Sequence, residues 1–111
     1  MLIRNQSEVQ KEKVMEGKGV HIQWLIDASV GAPHFALRRF TLEKGGYTPY
    51  HAHDWEHEVF VLSGKGCLVD DKKVEHPLHE GDTALVDPDR NHQFKNVGTD
   101  PFIFLCIIPL K

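Results

Sequence analysis

The stretch Gly45-Gly46-Tyr47-Thr48-Pro49-Tyr50-His51-Ala52-His53-Asp54-Trp55-Glu56-His57-Glu58, answered downstream by His92, decides the reading of this chain. His51, His53 and His57 are spaced by two and four residues, so all three have one parity. On an extended strand, alternate residues project from the same face. One short segment can therefore aim three imidazoles at one place, and His92 brings a fourth from a distant strand. The run His92-Gln93-Phe94-Lys95-Asn96 alternates cleanly. Gln93 and Lys95 look outward, whereas His92, Phe94 and Asn96 look inward. An inward histidine needs a hydrogen-bond partner or a metal, and imidazole is the commonest protein ligand for transition metals. A divalent metal centre is the first expectation.

The bulk properties narrow the field. A chain of 111 residues builds one domain around a single core. Thirteen Lys and Arg face 16 Asp and Glu, for a net charge of −3, and no basic run stands out. No nucleic-acid partner is expected. The longest apolar run, Phe102 to Leu110, is too short for a bilayer, so no membrane association is expected either. The start, Met1-Leu2-Ile3-Arg4-Asn5-Gln6, lacks the charged-then-apolar pattern of a secretory signal. Cys67 and Cys106 sit singly in apolar runs and read as reduced thiols of a cytoplasmic protein.

Along the chain, residues 1–19 are polar and read as an N-terminal arm or edge strand, with residues 20–111 forming a barrel. Strand-like runs cover His21–Ile26, His34–Leu42, Glu58–Leu62, Cys67–Val69, Val74–His76, Thr83–Val86, His92–Val97 and Phe102–Ile108. Glu43-Lys44-Gly45-Gly46 reads as the end of the second run, and Gly, Pro and Asp turns separate the others. No segment keeps a helical period. Many short strands with regular turns mean an all-β sandwich or barrel of antiparallel strands. Glu58–Leu62 and Phe102–Ile108 are apolar at both parities, so both faces should be covered. The outer cover is either the N-terminal arm or a second copy of the chain, and a homodimer is expected.

Gly45, His51 and His53, running on to Gly64, resemble the first signature of the cupin superfamily. Gly81, Pro88, His92 and Asn96 resemble the second, and together the signatures cover about half of the chain. The resemblance implies a single-domain cupin: a small antiparallel β-barrel or jelly roll, also called a double-stranded β-helix. One position departs from the pattern. Cupins usually place a glutamate after a gap of three or four residues from the second histidine, where this chain has His57 and Glu58. His57 shares parity with His51 and His53 and stands where the usual glutamate stands relative to Gly64. It is taken as the third ligand, giving a set of His51, His53, His57 and His92. A bulge in Asp54-Trp55-Glu56 would reset the parity and reopen the choice towards Glu58. The phrase from Trp55 to Leu62 and the terminal Phe104-Leu105-Cys106 resemble small single-domain bacterial cupins that hold manganese with four histidines. That resemblance implies one divalent ion per chain, Mn first and then Fe, with Phe104 and Cys106 lining the cavity. Imidazole also suits Zn, Ni, Co and Cu.

Phe94 shares the inward face of His92. Arg38 and Arg39 are adjacent, so one should point inward, and Arg39 is assigned to the cavity. An inward arginine could pair with a substrate carboxylate or with an acidic residue of the protein. Trp55, inside the ligand loop, is expected to shield the metal, and Trp24 to serve as a core or interface anchor. Glu58 and Asn96 are candidates to support the histidine rings by hydrogen bonds. His21, His34, His76 and His79 are read as lying on faces or in loops.

Four neutral ligands leave the ion its full dipositive charge, and in an octahedral ion they leave two positions open. The expected function is a metal-dependent, dioxygenase-like oxidoreductase acting on a small organic molecule. The alternatives are a metal-stabilised binding or sensing domain, and an isomerase or hydrolase with a redox-inert metal.

Overall fold

The computed structural model describes residues 1–110, so Lys111, the last residue of the expected barrel, lies outside the described residues. Nine strands and two short 3-10 turns account for the regular structure, and no α-helix occurs among the described residues. The strands are β1 (Glu12–Val14), β2 (Lys18–Ile26), β3 (Phe35–Tyr47), β4 (His57–Ser63), β5 (Gly66–Val69), β6 (Glu75–Leu78), β7 (Thr83–Val86), β8 (Gln93–Asn96) and β9 (Phe102–Pro109). All pairings are antiparallel. The main path runs β6-β5-β8-β3-β9-β4-β7, with β2 added to β3 and β1 added to β2. The fold is the small antiparallel barrel that the strand pattern predicts.

The 13-residue β3 is the hinge of this curled sheet. Its first part pairs with β2 on one side and β9 on the other, while its last residue, Tyr47, pairs with Lys95 of β8. The sequence expectation ended this strand before Gly45-Gly46, but the strand runs through both glycines. The physical reason lies in the backbone of the neighbouring strand. A Cβ on Gly46 would stand 2.8 Å from the Glu43 carbonyl oxygen and 2.9 Å from that of Lys18. Glycine here permits a close crossing beside a register shift between Lys18 and Val20, rather than stopping the strand.

The core gathers alternate residues from facing strands. Val20, Leu42, Val61, Phe102, Phe104 and Cys106 are all but fully buried. In β4 the parity is strict: His57, Val59 and Val61 point inward and Glu58 and Phe60 outward. The arm does not cover that outer face, because β1 pairs along β2. Phe60, Leu85 and Ile107 therefore stand exposed on the β4–β7–β9 surface of the single chain.

Candidate metal centre

The histidine segment is not the continuous strand on which the parity argument rested. Residues 52–56 are irregular, and only His57 opens a strand. The rings nevertheless converge, and backbone bonds show how. His51 and His92 form an isolated antiparallel bridge. The His51 N–H donates to the His92 carbonyl at 3.1 Å, and the His92 N–H donates back at 2.9 Å. The His53 carbonyl accepts from the Asp89 N–H at 2.6 Å, which ties the first histidine loop to the second. His57 gains its inward aim from β4.

Ring centroids of His51 and His53 lie 4.2 Å apart, those of His57 and His92 4.9 Å, and those of His51 and His92 5.3 Å. The Nε2 atoms of His51 and His53 are 3.1 Å from each other. His51, His53 and His92 offer ring nitrogens that all lie within 4.8 Å of one another. His57 stands just outside that trio, beside His92.

A neighbouring carbonyl fixes how the His92 ring is protonated. The Nδ1 of His92 is 2.9 Å from the Arg90 carbonyl. A carbonyl only accepts, so Nδ1 carries the proton and Nε2 keeps its lone pair for a ligand. His57 Nδ1 lies 3.4 Å from Cys106 Sγ and 3.3 Å from Arg38 Nη2. Arginine only donates, whereas a thiol does both. With Nδ1–H donating to the sulfur, the Nε2 lone pair is open; with Arg38 donating to Nδ1, the ring proton sits on Nε2. That Nε2 is buried and has no hydrogen-bond partner among the described residues. An orphaned buried nitrogen is costly, and a bound cation would satisfy it. The donor set therefore fits a divalent ion.

Electrostatics point the same way. Burial first, then the neighbouring His53 and His92, lower the His51 pKa to about 4. Burial first, then His92 and Arg38, lower that of His57 to about 3. Burial lowers His53 and His92 as well. The rings are thus neutral near pH 7, the form that coordinates metal.

The cluster opens into a cavity of about 450 Å³ with mostly apolar walls. Phe94, Phe104, Cys106 and Trp55 line it. Trp55 stacks flat on His53, with centroids 4.5 Å apart and planes 4° from parallel. Arg39 does not reach the cavity, and Arg38 does. The ladder gives the reason: Arg38 pairs with Cys106 and Phe40 with Phe104, so these four share a face, while Arg39 pairs with Leu105 on the other. Arg39 donates instead to Gln23 Oε1 at 3.1 Å. Glu58 projects outward between Leu85 and Ile107 and supports no histidine. Asn96 is buried, but it donates to the Leu42 and Asp100 carbonyls and accepts from Gly98 N–H. Its work is to pin the turn after β8. The groups that do orient the rings, the Arg90 carbonyl and the Cys106 sulfur, carry no sequence signal of that role. Val14 and Glu16 of the arm also line the cavity. Among the other histidines, His76 and His79 are exposed and face Asp70 and Asp82.

The chain is thus a small antiparallel β-barrel with a histidine cluster that could hold a divalent metal. Residues 38–108 match the family model described as the cupin domain, and the chain belongs to that family. Among solved structures, the polyketide cyclase RemF from Streptomyces resistomycificus is 31% identical with a TM-score of 0.94, over 100% of this chain and 80% of that one. A predicted oxalate decarboxylase from Thermotoga maritima is 26% identical with a TM-score of 0.85, over 99% and 100%. A sugar phosphate isomerase of the cupin superfamily from Silicibacter pomeroyi, 24% identical with a TM-score of 0.81 over 96% and 74%, shares the fold. No curated protein matches the sequence. No helix among the described residues is long and apolar enough to cross a membrane.

Proposed function

We propose that this chain is a metal-dependent cupin enzyme acting on a small, largely apolar organic molecule that carries carbonyl or enol oxygens. His51, His53, His57 and His92 would hold one divalent ion, with manganese first and iron next. The observation that carries this reading is the convergence of four neutral imidazoles, one with an orphaned buried Nε2, at the end of an apolar cavity. When bound, the ion supplies Lewis acidity to a substrate oxygen. The chain's own residues do the rest. Phe94, Phe104 and Phe40 give the substrate an apolar bed and exclude water. Trp55 covers His53 from one side. Cys106 holds the His57 ring in place.

Redox-neutral chemistry of the cyclisation type ranks first, supported by the likeness to a polyketide cyclase over the whole chain. Oxygen-dependent, dioxygenase-like turnover is the second reading, favoured by a ligand set of four neutral imidazoles that leaves room at the ion. The deciding experiment incubates protein loaded separately with Mn, Fe or Zn with aromatic 1,3-diketones, under argon and under air. Product without oxygen uptake, from any of the three metals, supports the first reading. Stoichiometric oxygen consumption with Mn or Fe supports the second. Tight binding with no product from any metal would leave a binding or sensing domain.

The working unit we propose is a cytoplasmic homodimer. A second copy would cover exposed Phe60, Leu85 and Ile107, and a reducing compartment suits the free thiols of Cys67 and Cys106.

A further inference from the structure

Arg38 sits in the cavity wall with an exposure of 9%, and its charge is not neutralised there. Among the described residues, no carboxylate forms an ion pair with it. Its Nη2 contacts only the neutral His57 ring and, at 3.0 Å, the Cys106 sulfur. Its Nε is buried and without a hydrogen-bond partner. The flat faces of the guanidinium are taken by aromatic rings, with the Phe40 centroid 5.0 Å and the Trp24 centroid 5.5 Å from Cζ. Both rings lie within cation–π range of the guanidinium.

A desolvated cation without a countercharge is costly to keep. The histidines beside it add no negative charge, and a bound divalent ion would add two positive ones. Glu16 is the one acid lining the cavity among the described residues, and it makes no ion pair with Arg38. The cavity is therefore an apolar slot with a fixed positive charge in its wall, which focuses attraction on an anion.

We propose that Arg38 receives a carboxylate on the molecule that occupies the cavity, so that the substrate is an organic acid with an apolar body. This assignment rests on the reading of the cavity as a small-molecule site, but not on the metal. The guanidinium supplies planar donors matched to a carboxylate, and the aromatic walls take the rest of the ligand.

The test compares 2-naphthoate with its neutral isostere 2-naphthamide by titration calorimetry on the full chain, with and without one equivalent of Mn. The wild-type protein should bind naphthoate about ten-fold or more tightly than naphthamide, as expected for a charge-assisted contact. The preference should persist after the metal is removed, should vanish in Arg38→Gln, and should survive in part in Arg38→Lys. Equal affinity for the two probes, or binding of neither, overturns the proposal. So does a preference that survives in a folded Arg38→Gln protein, or one that exists only with metal present. If Arg38→Gln fails to fold, the wild-type comparison without metal and the Arg38→Lys protein still decide. The metal reading fails separately, if wild-type protein takes up no Mn while naphthoate remains preferred.

Discussion

The proposed site draws on four histidine rings, and each can be tested alone. His57→Ala should lose most of the bound metal, whereas Glu58→Gln should keep it, measured as metal per chain after desalting. The reverse pattern would hand the third position to Glu58. Cys106→Ala removes the acceptor beside His57 Nδ1 and should weaken metal affinity roughly 10-fold to 100-fold, the usual effect of losing a group that orients a ligand. Cys106→Ser, which can still accept, should recover part of it. The lowered histidine pKa values also set an acid limit on the metal-free protein. His51 and His57 titrate near the ordinary 6.5 when unfolded, but at about 4 and about 3 when folded. Between those limits the unfolded chain binds more protons, so stability rises with pH there and levels off above about 6.5. The melting temperature of metal-free protein should fall steadily from pH 7 to pH 4.5, and His57→Gln should flatten part of that slope; a constant melting temperature would contradict the buried-neutral account. In the sequence, His57 was legible over Glu58 by its parity with His51 and His53 and by its spacing to Gly64. Residues 52–56 interrupt the strand on which that parity rested, while β4 turns His57 inward and Glu58 outward. The step from Arg39 to Arg38 was not legible, because both neighbours are arginine and only the pairing with Cys106 shows which one faces in. The roles of Cys106 and the Arg90 carbonyl depend on contacts between distant strands, which no local pattern encodes.

The strands were legible where hydrophobic alternation met a clear turn. Thr83–Val86 has the expected bounds, and Phe102–Pro109 differs from expectation by one residue. Expectation failed where glycine had another use. Gly45 and Gly46 look like a stop, yet β3 runs through both: Gly46 passes close to β2, and Gly45 takes a left-handed φ of 76°. Gly66, at the start of β5, faces the ring of Phe102, and a Cβ there would run into that ring. Phe102 is fully buried and cannot swing aside into solvent. Gly66→Val should therefore destabilise the barrel by about 1–3 kcal/mol, the usual cost of overpacking. A chemical-denaturation midpoint unchanged from wild type would show that the β5–β9 contact is looser than it looks.

At the scale of the whole chain, the proposed dimer rests on the exposed β4–β7–β9 face. Phe60→Lys together with Leu85→Lys should turn a dimer in sedimentation velocity into a monomer that keeps its metal. A wild-type protein that already sediments as a monomer would remove the second copy from the proposal. Metal should raise the stability of the entire barrel, by about 2.7 kcal/mol at a free concentration one hundred times its dissociation constant, because only the folded form has the site. Reduction of that gain to zero in His51→Ala with His53→Ala would locate the coupling. The bridge between His51 and His92 has a kinetic corollary. Its two backbone hydrogen bonds already clamp the opposite signature loops together through main-chain atoms. Filling the site is then a capture event rather than a folding event. Stopped-flow mixing should give a single phase whose rate rises in proportion to ion concentration, with no slow concentration-independent step behind it.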